Sequence, residues 1–273
     1  MSTIKKIQLT FEEKKWIPAL INGLLISSVT ALFVTIILIL PVSVFSDDFA
    51  KERQAFESNP EGFIFLKQFA HDHYAIELAL QSKYKNYRLF DLRHRGYPVA
   101  SMDVASGFCA LTFHQKNITD DTHGLNQNLK PLWVKGIMIH EFGHCIDIKR
   151  DMPTFVNPTV FTHAIWPDDV AAITDINTYL QTAEQQSTRL WREVFADIYL
   201  VGYWKLTDPM NSPVLIRYLR DKRNADKEHD KAHMTMCWID LAEQALRPTS
   251  VNELLEWTDS LRKSTLCIED VPK

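Results

Sequence analysis

The most constraining feature of this sequence is a run of 31 residues, Trp16 to Ser46, that contains no charged side chain. Its most apolar part, residues 17–40, would form a helix about 36 Å long, whereas the hydrocarbon core of a bilayer is roughly 30 Å thick. The apolar region of a cleaved signal peptide usually spans only about 7–15 residues, although cleavage after Ser46 is an alternative, as is a buried helix of a soluble protein. We therefore expect an uncleaved transmembrane signal anchor over residues 17–45.

Positive charges beside this run predict its orientation. Four lysines precede it within residues 1–16, and only Lys51 and Arg53 follow closely. Because cations concentrate on the cytoplasmic side of a membrane span, we expect a cytoplasmic tail over residues 1–16 and a periplasmic or otherwise extracytoplasmic domain over residues 46–273. The chain is then a single-pass membrane protein, with the lipid bilayer as a partner through residues 17–45.

The overall composition excludes several classes of protein. Charged residues make up 23% and hydrophobic residues 46% of the chain, which is typical of globular proteins and excludes disordered and fibrous ones. A net charge of −4 provides no broad cationic surface, so we expect no nucleic-acid partner.

The chain has four cysteines, an even number, which in an oxidising compartment permits two disulfides. Three pairings are possible, and we expect Cys109 to pair with Cys145 and Cys237 with Cys267. Buried free thiols are the alternative.

Local patterns predict an α+β domain that is mainly helical. Residues 61–83 have helical apolar spacing, residues 108–113 are typical of a β-strand, and Pro131 is well placed to begin a helix that ends near Arg150. Five further helices are expected, at residues 169–183, 188–206, 212–222, 226–246 and 250–263. The sequence therefore predicts a small β-sheet before the helix that begins at Pro131, with the transmembrane helix preceding both.

The pattern H-E-x-x-H occurs at residues 140–144, on this predicted helix. His140 and His144 are four residues apart, so their imidazoles lie on one helical face and can share one Zn²⁺. Glu141 lies beside the first histidine, within reach of a metal-bound water. We therefore expect one zinc ion per chain and a catalytic role for Glu141.

A catalytic zinc site needs a third protein ligand. Cys145 does not suit this role, since it lies about 100° around the helix from His144 and would point away from the shared metal. Glu193 is the best candidate, because an unpaired carboxylate in its strongly apolar helix would be costly. Asp197, one turn later, suits a hydrogen bond to the outer nitrogen of a zinc-bound histidine. Alternatively, both acidic residues are surface groups that pair with two nearby arginines, Arg189 and Arg192.

The motif H-E-F-G-H followed by E-x-x-A-D resembles the gluzincin class of zinc metallopeptidases. The resemblance covers roughly residues 108–236, and the spacing from His144 to Glu193 is longer than in thermolysin-like members. It implies a zincin-like domain, a ligand set of two histidines and the downstream glutamate, and a motif glutamate that serves as general base and acid. It also implies that an edge strand before the active-site helix, here residues 107–114, pairs with an extended substrate.

One further hydrogen-bond donor is expected to stabilise the oxyanion. His233 is our first choice, with His229 as its neighbour on the predicted helix 226–246, and Tyr199 and Tyr203 as alternatives. The two histidines can instead lie on a solvated face or form a second, adventitious metal site.

These residues predict a zinc metallopeptidase that hydrolyses peptide bonds of polypeptides at the outer face of a membrane. The alternative is a membrane-anchored envelope interaction or assembly protein with a structural zinc ion or a lost activity. A fourth protein ligand, such as His163, His229 or Asp168, would favour the alternative.

Overall fold

The computed structural model describes residues 63–82, 99–103, 108–113, 122–151, 162–226 and 229–268. This part is mostly helical with little sheet, which confirms the predicted balance. In chain order its elements are α1 (Phe63–Tyr74), β1 (Glu77–Ser82), β2 (Val99–Asp103), β3 (Phe108–Phe113), α2 (Lys130–Arg150), a 3₁₀ turn (Pro167–Ala172), α3 (Ile176–Ala183), α4 (Gln186–Thr207), α5 (Ser212–Asp226), a second 3₁₀ turn (Lys231–His233), α6 (Met236–Gln244), α7 (Val251–Arg262) and α8 (Thr265–Ile268).

The small sheet precedes α2, as expected, and has the strand order β1-β3-β2. β1 runs parallel to β3, and β2 runs antiparallel to it. The expectation that residues 107–114 supply an edge strand is therefore wrong, because β3 is hydrogen-bonded on both sides and has no free edge for a substrate.

The predicted helix 61–83 is also corrected. α1 ends at Tyr74, and Ala75 takes a left-handed backbone conformation with φ of 49°, after which the chain turns into β1. The Lys149 ammonium group of α2 donates hydrogen bonds to the carbonyl oxygens of Tyr74 and Ala75, both at 2.8 Å. This contact satisfies carbonyls that a continuing helix would have used, and it ties the turn to α2.

The predicted helix 169–183 is divided in the structure. Its first part is the 3₁₀ turn Pro167–Ala172, and α3 begins anew after Asp175. The Asp175 carboxylate accepts two backbone hydrogen bonds at the start of α3, which is the preferred way to begin a helix.

The predicted helix 226–246 is divided as well. The Asp230 carboxylate accepts the backbone N–H of Ala232 and starts the 3₁₀ turn Lys231–His233, while α6 begins only at Met236. His233 therefore lies on a short turn before α6 and not on a long helix.

Helices α2 and α4 form the centre of the domain and approach each other closely at two glycines of α2. A Cβ atom at Gly143 would lie 3.3 Å from the Ala196 Cα atom, and one at Gly136 would lie 2.3 Å from the Trp204 ring. Both helices bury most of their side chains, which include Phe142, Phe195 and Tyr199. This packing brings the H-E-x-x-H motif next to the segment that contains Glu193.

A buried ion pair joins the C-terminal end of α2 to α7. Arg262 donates hydrogen bonds to both carboxylate oxygens of Asp147, at 2.7 and 3.1 Å, and Arg150 donates a third at 2.5 Å. Arg150 also pairs with Asp259 of α7. These contacts fix the end of α2 that follows the motif.

The two predicted disulfides are confirmed. Cys109 of β3 is bonded to Cys145 of α2, and Cys237 of α6 is bonded to Cys267 of α8, with Cα–Cα distances of 6.0 and 5.6 Å. The alternative of free thiols is wrong, since all four cysteines lie in the described ranges and none is free.

The structure contradicts the predicted localisation. Across the described ranges, no helix has both the length and the apolar character that crossing a bilayer requires. This finding overturns the assignment of a single-pass membrane protein with an extracytoplasmic domain. The predicted tail, residues 1–16, and the predicted anchor, residues 17–45, themselves lie outside the described residues.

Substituting Gly136 with alanine tests the close approach of α2 and α4. Alanine would favour the helix by about 1 kcal/mol, but its Cβ atom would displace the buried Trp204 ring. We expect the free energy of unfolding to fall by about 1–3 kcal/mol in a denaturant titration. Arg217→Ala, at an exposed position of α5, should change it by less than about 0.5 kcal/mol. An equal or higher stability of Gly136→Ala would contradict the packing.

Candidate metal centre

The motif histidines of α2 face Glu193 of α4. His140 Nε2 lies 3.2 Å from Glu193 Oε2, and His144 Nε2 lies 3.5 Å from Glu193 Oε1. The two imidazole rings meet edge to face, with centroids 4.9 Å apart. One potential ligand atom from each of the three residues lies within 4.8 Å of the other two, so the group could hold a metal ion.

Asp197 lies behind His140, where its role as a hydrogen-bond partner was expected. Its Oδ1 atom is 2.9 Å from His140 Nδ1, and its side chain is fully buried. Arg223 donates to both carboxylate oxygens at 2.8 Å, and the Thr235 hydroxyl donates to Oδ2 at 2.6 Å. The carboxylate is therefore held from three directions, and it fixes the ring of His140.

The alternative that Glu193 and Asp197 pair with nearby arginines of α4 is wrong. Arg189 is exposed, and Arg192 donates its Nε hydrogen to the carbonyl oxygen of Ala164. The two carboxylates instead meet the motif histidines and Arg223, a residue of α5.

Burial and carboxylates compete in setting the proton affinity of these groups. Burial alone would lower the pKa of His140, but the carboxylates of Asp197 and Glu193 outweigh it and raise the pKa to about 10. Burial lowers the pKa of His144, which faces only the Glu193 carboxylate, to about 4. Burial also opposes ionisation of Glu193, yet His233 and the motif histidines hold its pKa well below the ordinary value. The centre therefore attracts positive charge.

Glu141 lies next to this group without a partner of its own. In the part of the chain that the structure describes, its carboxylate forms no hydrogen bond or ion pair. Burial raises its pKa to about 7. A carboxylate with such a pKa can accept and return a proton near neutral pH, which is the requirement for a general base and acid.

Of the four proposed oxyanion donors, the structure brings only His233 to the centre. Its Nε2 atom lies 3.1 Å from Glu193 Oε2, and its Nδ1 atom lies 2.8 Å from Asp230 Oδ2. His229 is exposed. The two tyrosines lie further along α4, where the Tyr199 hydroxyl shares a hydrogen bond with Tyr74, and the Tyr203 ring packs against Phe65 and Phe69.

The residues fit a divalent metal ion. Glu193 Oε2 is buried and makes no hydrogen bond of acceptable geometry to any described residue, although imidazole nitrogens lie 3.1 and 3.2 Å away. Such a carboxylate oxygen is costly to bury, and a bound cation would satisfy it. Ligands at about 2.1 Å from a tetrahedral metal lie roughly 3.4 Å apart, close to the spacing between Glu193 and the motif histidines.

Among the described residues no fourth histidine, cysteine, aspartate or glutamate joins the three ligand candidates. His163 and Asp168, which the sequence offered as possible fourth ligands, do not belong to the group. The side chains of His140, His144 and Glu193 keep 9%, 13% and 17% of their surface exposed, so the centre opens to solvent. Three protein ligands and an accessible further position are typical of a catalytic metal site.

Sequence reasoning missed three residues of the centre, Arg223, Asp230 and Thr235. Arg223 is one of several arginines in α5, and nothing in its spacing distinguishes it from Arg217 or Arg220. Asp230 had a usable signal, because an aspartate three residues before a histidine commonly begins a turn whose side chains meet.

Comparison with known proteins provides no relative from which a role could be transferred. No protein-family model, no curated protein sequence and no solved structure matches the chain. The geometry and chemistry of the centre itself are therefore the basis for its function.

Asp197→Asn tests whether the buried carboxylate supports a metal ligand, and Asp147→Asn is its matched control. Both carboxylates are fully buried and bind arginine, but only Asp197 contacts His140. Each variant should lose about 3–5 kcal/mol of unfolding free energy, because it leaves a buried guanidinium without its partner. Only Asp197→Asn should also weaken metal binding, by about 10–100-fold in a chelator competition titration. Equal metal affinities in the two variants would contradict this role.

Proposed function

We propose that this chain is a zinc-dependent peptidase with a zincin-like catalytic domain, acting on peptide bonds of polypeptides. The observation that carries the proposal is the convergence of His140, His144 and Glu193 beside the unpaired carboxylate of Glu141. The resemblance of the two motifs to gluzincins supports it, because the same residues meet on two adjacent helices.

His140, His144 and Glu193 would hold the metal, and two imidazoles with one carboxylate are a ligand set that suits zinc. When bound, zinc would supply a water molecule of lowered pKa and polarise the scissile carbonyl group. Asp197 Oδ1 lies 2.9 Å from His140 Nδ1, so its negative charge would favour a hydrogen on Nδ1 and leave the Nε2 lone pair available to the metal.

Glu141 would move the protons of the reaction. It takes a proton from the attacking water as the new C–O bond forms, and it passes that proton to the amine nitrogen as the C–N bond breaks. Burial raises the pKa of its carboxyl group, so the group accepts a proton more readily than a solvated carboxylate would.

His233 would stabilise the oxyanion that forms on the carbonyl oxygen. Asp230 holds the Nδ1 side of its ring, so Nε2 remains directed towards Glu193 and the metal position. A preorganised donor of this kind contributes more to the rate in a partly buried site than it would in water.

A structural zinc ion is the less supported candidate. It would require a fourth protein ligand, and the described residues offer none within the group. The unpaired Glu141 would also have no role in a purely structural site.

Replacing Glu141 with glutamine separates metal binding from catalysis. The amide has nearly the same shape but cannot accept a proton from water, so zinc should stay bound at one ion per chain while peptide hydrolysis is lost. Metal analysis and cleavage of a diverse peptide library measure the two effects. Glu256→Gln, an identical change at an exposed site of α7, should leave both unchanged. Undiminished peptide cleavage by Glu141→Gln would contradict the proposed mechanism.

Replacing His233 with alanine tests the oxyanion donor, with His229→Ala as the control four residues away. We expect kcat of His233→Ala to fall by about 10²–10³-fold with zinc retained, because a single oxyanion donor is removed. The exposed His229 should be replaceable without a change in kcat. Steady-state kinetics on one cleaved peptide measures kcat of both variants. Similar losses of kcat in the two would argue against this role for His233.

A further inference from the structure

The two motif histidines are held in different ways. The outer nitrogen of His140 has the Asp197 carboxylate behind it at 2.9 Å. The outer nitrogen, Nδ1, of His144 has no carboxylate, hydroxyl or carbonyl partner among the described residues, and the polar and aromatic contacts of the ring there are with Glu193 and His140. Metal-binding histidines are usually oriented through that second nitrogen. His144 lacks this support.

The backbone of His144 is instead fixed by its two neighbours. Gly143 packs so closely on α4 that a Cβ atom there would lie 3.3 Å from Ala196 Cα. Cys145 is fully buried and covalently bonded to Cys109 of β3. Because β3 is the central strand, hydrogen-bonded on both sides, the disulfide connects this turn of α2 to the most constrained part of the sheet.

We propose that the Cys109–Cys145 disulfide is a positioning device for the metal ligand His144. It holds the His144 backbone at the distance from Glu193 that metal binding requires, whereas the ring of His140 has the charged Asp197 carboxylate 2.9 Å behind it. This inference rests on the proposed function only in requiring that a metal binds at the centre.

The physical reason is preorganisation. A metal site loses affinity when a ligand must be ordered at the moment of binding, and ligands displaced by more than about 0.5 Å bind poorly. With the disulfide cut, the turn of α2 that contains His144 would lose its covalent link to β3 and would be held by non-covalent packing alone. Part of the metal-binding free energy would then be used to restore the position of the ligand.

The second disulfide provides a matched control. Cys237–Cys267 spans 30 residues and Cys109–Cys145 spans 36, so removing either one frees nearly the same chain entropy in the unfolded state. Cys237 adjoins no metal ligand. It is connected to the ligand His140 only indirectly, because Thr235, two residues earlier, bonds to Asp197, and Asp197 contacts His140. The two variants that each lack one disulfide should therefore have similar free energies of unfolding and different metal affinities.

The experiment titrates the metal-stripped full chain with Zn²⁺ against a chromophoric chelator. The variant Cys109→Ala/Cys145→Ala should bind zinc about 10–100-fold more weakly than the unaltered chain, as expected for lost support of a ligand. Cys237→Ala/Cys267→Ala should stay within about threefold. Equal weakening in both, or none in the first, would overturn the proposal.

A double-mutant cycle with His144→Ala separates positioning from general stability. If the disulfide acts through His144, its removal should leave the zinc affinity of His144→Ala unchanged within about threefold. A further loss of tenfold or more would show that the disulfide acts elsewhere. Co²⁺ absorption should also weaken in Cys109→Ala/Cys145→Ala and keep its intensity in the control, since it reports the geometry of the ligands.

Three further outcomes would decide between the two proposals. If the alanine pair does not fold, Cys109→Val/Cys145→Ala restores apolar volume, and failure of both while the control pair folds would overturn a role specific to His144. If the unaltered chain binds zinc tightly but cleaves no peptide, the proposed function fails and the positioning proposal is still decided by the titration. If the unaltered chain binds no metal, both fail.

Discussion

The close packing of α2 on α4 is the constraint on which the rest of the structure depends. At Gly143 the two backbones approach so closely that a Cβ atom there would lie 3.3 Å from the Ala196 Cα atom. This approach lets the imidazoles of α2 reach the carboxylate of Glu193 on α4, and neither helix holds a complete ligand set alone. The glycine inside the H-E-x-x-H motif thus allows the close helix packing that brings the histidines to Glu193.

Around this contact, buried charged and polar side chains form a chain of successive contacts. Arg223 and Thr235 hold Asp197, Asp197 holds His140, and His140 faces Glu193. Each carboxylate is costly to bury alone, and each is stabilised by the cationic group beside it. Glu141 is the exception, because it has no hydrogen-bond or ion-pair partner in the described ranges, and such a buried carboxylate beside a potential metal centre suits catalysis better than stability.

The sequence predicts those features whose physical cause is local or covalent. Helical spacing placed His140 and His144 on one face, the cost of burying a carboxylate identified Glu193, and the even number of cysteines indicated two disulfides but left three pairings open. Prediction from the sequence fails where contacts between distant segments decide the local structure. The strand after Tyr74 depends on pairing with β3 and on Lys149, and the break near Asp230 depends on side-chain hydrogen bonds. Arg223 shows the limit most clearly, since only the fold distinguishes it from other arginines of α5. The charge-free run predicted a membrane span, and the described helices contain none.

The central claim is that His140, His144 and Glu193 form one catalytic zinc site, and anomalous diffraction at the zinc absorption edge tests it most directly. Crystals of the full chain grown with zinc should show one strong peak within about 2.0–2.2 Å of both Nε2 atoms and of the Glu193 carboxylate, with no fourth protein ligand. No peak at this position, or a peak with a fourth side chain bound to the ion, would contradict the account.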